Sequence, residues 1–414
     1  MSTSSPVTVA LVDPLWVGHH PMYFTQFTAS FQRAGARVVG ICPDPVEAAA
    51  NHAADPANDP ETARFHPLPT GGRSFFNGRF EGDPVRTFQR WRRAADAITA
   101  AEAACGWKVD LVYFPYLDSY LRFLPTSLAP DGALGRPWSG LYLRNHHHGE
   151  APSLLKSLRL LAKGDALIRS KHCRGIGVLD ERFIRALEGY TGRRVTAYPD
   201  VTQADLPDRP FPLAGEIRGK AAGRKIVGMI GLEKRKGFLP FIRSAALARE
   251  KNLPLYFVAA GAIHFGEFTE SEQQEIRSLA AEVESGTVEN IHFDPAAGRI
   301  PDEADFNDLF RSFDIAWAAY EGFFGSSGTL SKAAVFELPC LATQGECIGN
   351  RVEKYRLGVT LPEASAAHAV EALSGLMDGR GTDGAPLAPD FAGYRRDHSL
   401  ERLDEILAEL LQTI

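Results

Sequence analysis

The chain has 414 residues, 44% of them hydrophobic and 23% charged, with a formal net charge of −6. That make-up is of a soluble globular protein with room for two domains, each with its own core. Lys+Arg stand at 24 against 21 Asp+Glu over residues 1–209, and at 21 against 30 over residues 210–414, so neither half is basic enough to make nucleic acid the expected partner. No run of about 18 apolar residues points to a membrane span. The opening MSTSSPVTVALVDP lacks the basic start and long apolar stretch of a signal peptide. Cys42, Cys105, Cys173, Cys340 and Cys347 are scattered and odd in number. They indicate neither a disulfide framework nor a zinc site, and fit a reducing cytoplasm.

In chain order, strand Val7–Asp13 leads through the loop PLWVGHHP into a helix over about Met22–Ala34, with Tyr23, Phe24, Phe27 and Phe31 on one face. Gly35 closes that helix, and the strand ARVVGICP follows. Asn51–Pro60 reads as a loop. Further βα signals are Asp110–Tyr116, Ser139–His147 and Arg174–Asp180. Alternating strands and helices imply a parallel sheet with right-handed crossovers. The stretch from Lys156 to Arg174 sets Lys156, Arg159, Lys163, Arg169, Lys171 and Arg174 against Asp165 alone, with Leu154, Leu155, Leu158 and Leu161 interleaved. Such a helix either lies weakly on an anionic membrane surface at the inner face of the membrane or packs its leucines in the core with a solvated basic face. The second arrangement is the expectation here.

Pro199–Arg224 is poor in periodicity and reads as an interdomain linker. This divides the chain into residues 1–205 and 215–394, with a C-terminal helix in 395–414 that has the first domain as one docking surface. The second half restarts with strand Lys225–Gly231. Helix Leu239–Lys251, strand Leu255–Gly261, helix Ser271–Glu284, strand Asn290–Phe293 and helix Ala304–Arg311 follow. The final helix, about Ser399–Gln412, has a broad apolar face.

The chemistry-bearing pattern lies at strand ends of the second half. The run DIAWAAYEGFFGSSGTLSKAAVFELPCLAT reads as a strand ending at Tyr320–Glu321, a turn with Gly322, Gly325 and Gly328, a helix from about Gly328 to Glu337, and a strand. A glycine-rich turn at a helix start offers N–H groups and the positive dipole end to phosphate. Glu321, at the carboxyl end of the strand, would repel phosphate, so it better suits a neutral polyol such as a sugar; the plainer alternative is a solvated glutamate in an ordinary turn. In GLEKRKGF, Arg235 and Lys236 precede a helix and can neutralise a diphosphate leaving group. Gly231 ends the strand before them, and Gly261 allows close ligand approach after the next.

With its strand, GLEKRKG loop, glycine-ended strand, Ile291–Phe293, Asp314 and Glu321–Gly325 in order, the second half resembles the donor domain of GT-B glycosyltransferases of the retaining group 1 (family 4) type. The first half is similar to that family through VDPLWVGHHPMYF, LYLRNHHHGE and GIGVLDERFIRAL. The resemblance implies an α/β GT-B fold, two Rossmann-like domains facing each other across a cleft, and an enzyme that moves a sugar with retention. The donor would be a nucleotide-diphosphate sugar, a co-substrate rather than a cofactor. The acceptor would be a glycan, a lipid-linked molecule or a small molecule.

By that resemblance Arg235 and Lys236 would bind the donor phosphates with Gly231, Gly261 and the backbone of Ser326, Ser327, Gly328 and Thr329. Glu321 would contact the transferred sugar. One histidine within Asn145–Gly149 would face the reacting centre, His148 being favoured. On a strand His146 and His148 share one side and His147 the other, so neighbouring histidines would not converge on a metal ion. Gly18, His19 and His20 would form an acceptor-side loop, or else plain turn residues. No metal is expected, because no DxD-type carboxylate pair lies near the donor strands.

The chain departs from the family at its second glutamate, eight residues after the first, which holds the ribose. Position 329 is Thr, and an alignment anchored on Pro339 puts Lys332 there. As a cation Lys332 cannot accept ribose hydrogen bonds, which leaves Ser326, Ser327, Thr329 or backbone for that task. A scaffold protein that has lost turnover, or a sugar-nucleotide epimerase or hydrolase on the same fold, stays compatible with this pattern.

Overall fold

The computed structural model describes residues 6–69, 84–122, 127–148, 153–300 and 302–414. Two compact units are present, Met1–Pro199 with Leu400–Ile414, and Asp200–Ser399. The first has strands β1 (Thr8–Val12), β2 (Arg37–Cys42), β3 (Ala63–Pro67), β4 (Leu111–Phe114), β5 (Trp138–Tyr142), β6 (Ile176–Val178) and β7 (Val195–Ala197), in the order β3-β2-β1-β4-β5-β6-β7. The second has β8 (Lys225–Leu232), β9 (Leu255–Ile263), β10 (Ile291–Phe293), β11 (Ile315–Ala318), β12 (Cys340–Thr343) and β13 (Gly358–Leu361), in the order β10-β9-β8-β11-β12-β13. The named strands pair in parallel, for example Val9 with Val38 and Leu111, and Ile315 with Val227. Each sheet reverses its strand order once, between β1 and β4 and between β8 and β11, and such a switch point is where open α/β sheets take ligands.

The central strands are continuous apolar runs because helices cover both faces. TVALV of β1 is buried throughout, as is IAWA of β11. On one face of the first sheet, Phe24, Phe27 and Phe31 of helix His20–Arg33 pack with Tyr113 and with Leu403, Ile406 and Leu407 of helix Leu400–Leu411. Arg33 and Asp404 add an ion pair at 2.7 Å.

Several sequence readings change. The stretch read as a linker contains helix Pro212–Ala221, whose Ala214, Ile217 and Ala221 are buried in the second unit's core. Helix Phe391–Asp397 stays with the second unit because Tyr394 is buried there against Tyr355, its hydroxyl 3.0 Å from Ser331 Oγ. Only residues from Leu400 onward return to the first unit. The loop expected over Asn51–Pro60 begins inside helix Pro45–Ala53. Helix Leu154–Ala162 does not pack its leucines inward: Leu154, Leu155 and Leu158 are 80%, 69% and 55% exposed, and Leu160 alone in that helix is buried.

The docking of the last helix has a direct test. Leu407 is fully buried, so Leu407→Ala is expected to lower the unfolding free energy by about 2–5 kcal/mol in a denaturant titration.

Candidate functional site

In the second unit, β8 ends in a bulge at Gly231, which has φ +83°. Leftward backbone there lets the Lys236 ammonium come within 2.6 Å of where a Cβ would stand. Lys236 Nζ reaches Ile230 O at 3.4 Å and Glu233 Oε1 at 3.1 Å. Arg235 pairs with the same Glu233 carboxylate and lies over the Phe323 ring, 5.3 Å from its centre. Burial pushes the Glu233 carboxyl up, but its bonds and charge contacts with Arg235 and Lys236 outweigh this and hold it below its ordinary value.

This cationic loop is bound to the Glu321 turn. Glu321 N–H donates to Arg235 O at 2.8 Å, and Trp317 Nε1 donates to Lys236 O at 3.2 Å. Gly237, at φ +76°, passes so close to β11 that a Cβ would meet Ala319 O at 2.3 Å. Gly261, at φ +94°, passes the backbone of Gly231, 3.1 Å from its N to a would-be Cβ. The structure therefore brings Gly231, Arg235, Lys236, Gly261 and Glu321 to one edge, at the switch point of the sheet. Glu321 is exposed. Partial burial raises its carboxyl above the ordinary 4.5, helped by Glu272 and opposed by Lys234 and Arg243.

The helix start is more self-satisfied than its sequence implies. Ser327 is the N-cap of helix Gly328–Val335 and accepts from Thr329 N at 3.2 Å. Leu330 N and Ser331 N bond to Ser327 O. The hydroxyls of Ser327 and Thr329 both meet Tyr320 OH, at 3.0 and 2.8 Å. These hydroxyls are engaged in the turn itself, contrary to their expected ribose role, while Ser326 is half-buried and Gly328 is exposed. Lys332 points elsewhere: its buried ammonium is held by Glu303 Oε1, on the exposed side, and buried Asn307 Oδ1, both at 2.6 Å, and Gln203 O at 3.1 Å. Next to the turn lies a cavity of about 160 Å³ lined by Tyr320, Phe323, Phe324, Thr343, Glu346 and Ile348.

In the first unit, Asp13 follows β1 and is fully buried. Both its oxygens meet His20 Nδ1, at 2.9 and 2.8 Å. An ionised carboxylate only accepts, so it requires the proton on Nδ1 and leaves Nε2 of a neutral ring as acceptor. Burial raises the Asp13 carboxyl despite the opposing His20 contacts. The His20 ring stacks on Tyr116, centres 3.8 Å apart. His19 and Gly18 are exposed in the turn before it, Gly18 at φ +63°.

The histidine run departs from the strand expected for it. Asp118 accepts from Leu143 N at 2.8 Å and Arg144 N at 2.9 Å, which draws the chain off the ladder. β5 stops at Tyr142, and Asn145–His148 form a 3₁₀ turn. The alternation of sides is therefore lost: His147 and His148 converge, each with Nε2 at 2.7 Å from Asp165 Oδ2. Tyr142 donates to Asp165 Oδ1 at 2.8 Å. The premise that adjacent histidines cannot share a centre fails here, although 2.7 Å is a hydrogen-bond length; two ligands of one zinc ion at about 2.0–2.1 Å would stand farther apart. His148 is buried at 3% exposure, the environment of a satisfied interior histidine, while His146 is exposed. Gly149 lies outside the described residues. Asp13, Asp118, Asp165 and Glu233 were missed by the sequence reading; an acid directly after a buried strand was a usable signal for Asp13 and Glu233.

The sequence matches no protein-family model and no curated protein. Solved structures do match. Anabaena HepE in complex with UDP aligns at a TM-score of 0.63 and 13% identity, covering 99% of this chain and 100% of that one. The fold is GT-B. Sucrose-phosphate synthase from Thermosynechococcus elongatus aligns at 0.61 and 14% identity, over 98% of each chain. A putative UDP-N-acetylglucosamine 2-epimerase from Listeria monocytogenes aligns at 0.54 and 11% identity, over 95% of each. GT-B architecture thus spans essentially the whole chain.

The Lys332 cage is structural in this GT-B unit. Lys332→Ala leaves fully buried Asn307 with an unmet acceptor, so a loss of about 1–3 kcal/mol is expected in a denaturant melt.

Proposed function

We propose that the chain is a glycosyltransferase that moves a hexose from a nucleotide-diphosphate donor to a glycan, lipid-linked or small-molecule acceptor, with retention of configuration and without a metal at the diphosphate. The single observation that carries this reading is the stitched pair of loops at the switch point of the second sheet, with Lys236 and Arg235 on one loop and Glu321 on the other, joined by the Glu321 N–H bond to Arg235 O at 2.8 Å. Support also comes from HepE, a full-length fold relative solved with UDP and with UDP-glucose.

In this reading the donor diphosphate competes with Glu233 for Lys236 and Arg235. As the glycosidic bond to phosphate breaks, the two cations take up charge developing on the leaving group. Glu321 accepts hydrogen bonds from sugar hydroxyls. Glu346, on the wall of the adjoining cavity, takes over the ribose contact that Lys332 cannot make. On the acceptor side, in the first unit, His20, fixed in one tautomer by Asp13, offers Nε2 to an acceptor hydroxyl.

An epimerase or donor hydrolase is the second reading, favoured by Lys332 at the aligned ribose position and by the likeness to the putative epimerase. Sugar and nucleotide product analysis without acceptor separates the two.

Lys236→Ala is expected to lower kcat/KM for transfer by at least roughly tenfold through loss of a charge-assisted contact to the diphosphate. Unchanged kcat/KM would remove this loop from the site. In Glu346→Ala donor affinity should fall, whereas the parallel Lys332 variant keeps it.

Glu321 gives a pH signature. Ionised, it accepts charge-assisted hydrogen bonds at both oxygens, protonation turns one oxygen into a donor, and its carboxyl is raised above 4.5. The acid limb of the kcat/KM profile should therefore fall off at a pH above 4.5, with activity lost as pH drops through the raised value. Glu321→Gln should abolish that limb along with most of the activity.

A further inference from the structure

The helix Leu154–Ala162 presents an apolar stripe outward. Leu154, Leu155 and Leu158 are 80%, 69% and 55% exposed, and on a helix of 100° per residue they share one sector with half-buried Leu161 and exposed Ala162. Arg159 and Lys163 are exposed and, with half-buried Lys156, occupy the neighbouring sector, whereas Leu160 turns to the protein. Lys171 and Arg174, both exposed, follow the helix in the chain. The one acid between Lys156 and Arg174, Asp165, is fully buried under the histidine turn and adds no negative charge to this face.

From this arrangement we infer that the helix docks the first unit on an anionic lipid surface, with the leucine stripe at the acyl boundary and the flanking cations among the lipid phosphates. The charge decides the occupant. A second copy would set this cationic sector against an identical one if the contact were two-fold symmetric, which repels, whereas an anionic headgroup layer neutralises every cation at once. A nine-residue amphipathic segment with one apolar sector gives weak, reversible attachment rather than insertion. The helix follows in the chain the turn that carries His146, so docking would bring that turn close to the lipid surface. The inference does not depend on the transferase reading, since lipid binding is measured without any donor.

The test is sedimentation of the full chain with sucrose-loaded vesicles of phosphatidylcholine mixed with phosphatidylglycerol, and with vesicles of phosphatidylcholine alone. Binding is expected to the anionic vesicles only, weakening as salt shortens the screening length. The Leu154→Ser, Leu155→Ser, Leu158→Ser triple variant replaces exposed residues, so it should keep the wild-type melting temperature while binding falls by at least about tenfold. Lys156→Gln with Arg159→Gln should weaken binding roughly fivefold per cation. Absence of binding to anionic vesicles, equal binding of wild type and the folded triple variant, or equal binding to both vesicle types would overturn the inference. So would a dimer in light scattering that the triple variant converts to monomer, because the leucines would then belong to a second copy.

Discussion

The architecture of the second unit turns on a close main-chain approach. Gly237 runs against Ala319 at a distance only a residue without Cβ allows, and the Arg235 carbonyl takes the Glu321 N–H. That contact fixes which side chains share the switch-point edge. Two cations on one loop and one carboxylate on the next are held together without contacting each other directly, because Glu233 neutralises the cations. The pair therefore exists before any ligand arrives. An anionic ligand has only to displace a carboxylate, which exchanges one charge-assisted contact for another.

The first unit solves a different problem. Its carboxyl edge carries buried Asp13 and Asp165 and half-buried Asp118, each matched to donors. Asp13 meets His20, Asp118 takes two backbone N–H groups, and Asp165 takes two imidazoles and a phenol. Burial raises Asp13 and Asp118, whereas bonds and charge from His147 and His148 outweigh burial at Asp165 and lower it. The consequence is a rigid set of histidines. His20 is held by the Asp13 carboxylate at Nδ1 and by the Tyr116 ring on its face.

Much of this was legible in the sequence because it is local. The β8 strand, the RKG loop, the Glu321 turn and its helix follow from apolar runs broken by glycines, and each glycine that the loops need at positive φ is present. What the sequence hid depends on side-chain partners that periodicity does not show, most of them 25 or more residues away. The histidine run looks like strand until Asp118, some 25 residues earlier, caps it. Ser327 and Thr329 look like ligand hydroxyls until Tyr320 claims them. The leucines of Leu154–Ala162 have the periodicity of a buried face, and periodicity does not say which sector meets the core. Lys332 in place of a carboxylate was visible; that it is caged by Glu303 and Asn307 was not.

The central claim is that this switch-point edge holds a nucleotide-diphosphate sugar. A thermal-shift panel of UDP-, GDP-, ADP- and dTDP-sugars tests it most directly, since a ligand that binds only the folded chain stabilises it by about 2.7 kcal/mol at a hundred times its Kd. The account predicts a rise in Tm with one nucleotide class, absent in Lys236→Ala. No rise with any of the four at millimolar concentration, or an equal rise in wild type and Lys236→Ala, would contradict it.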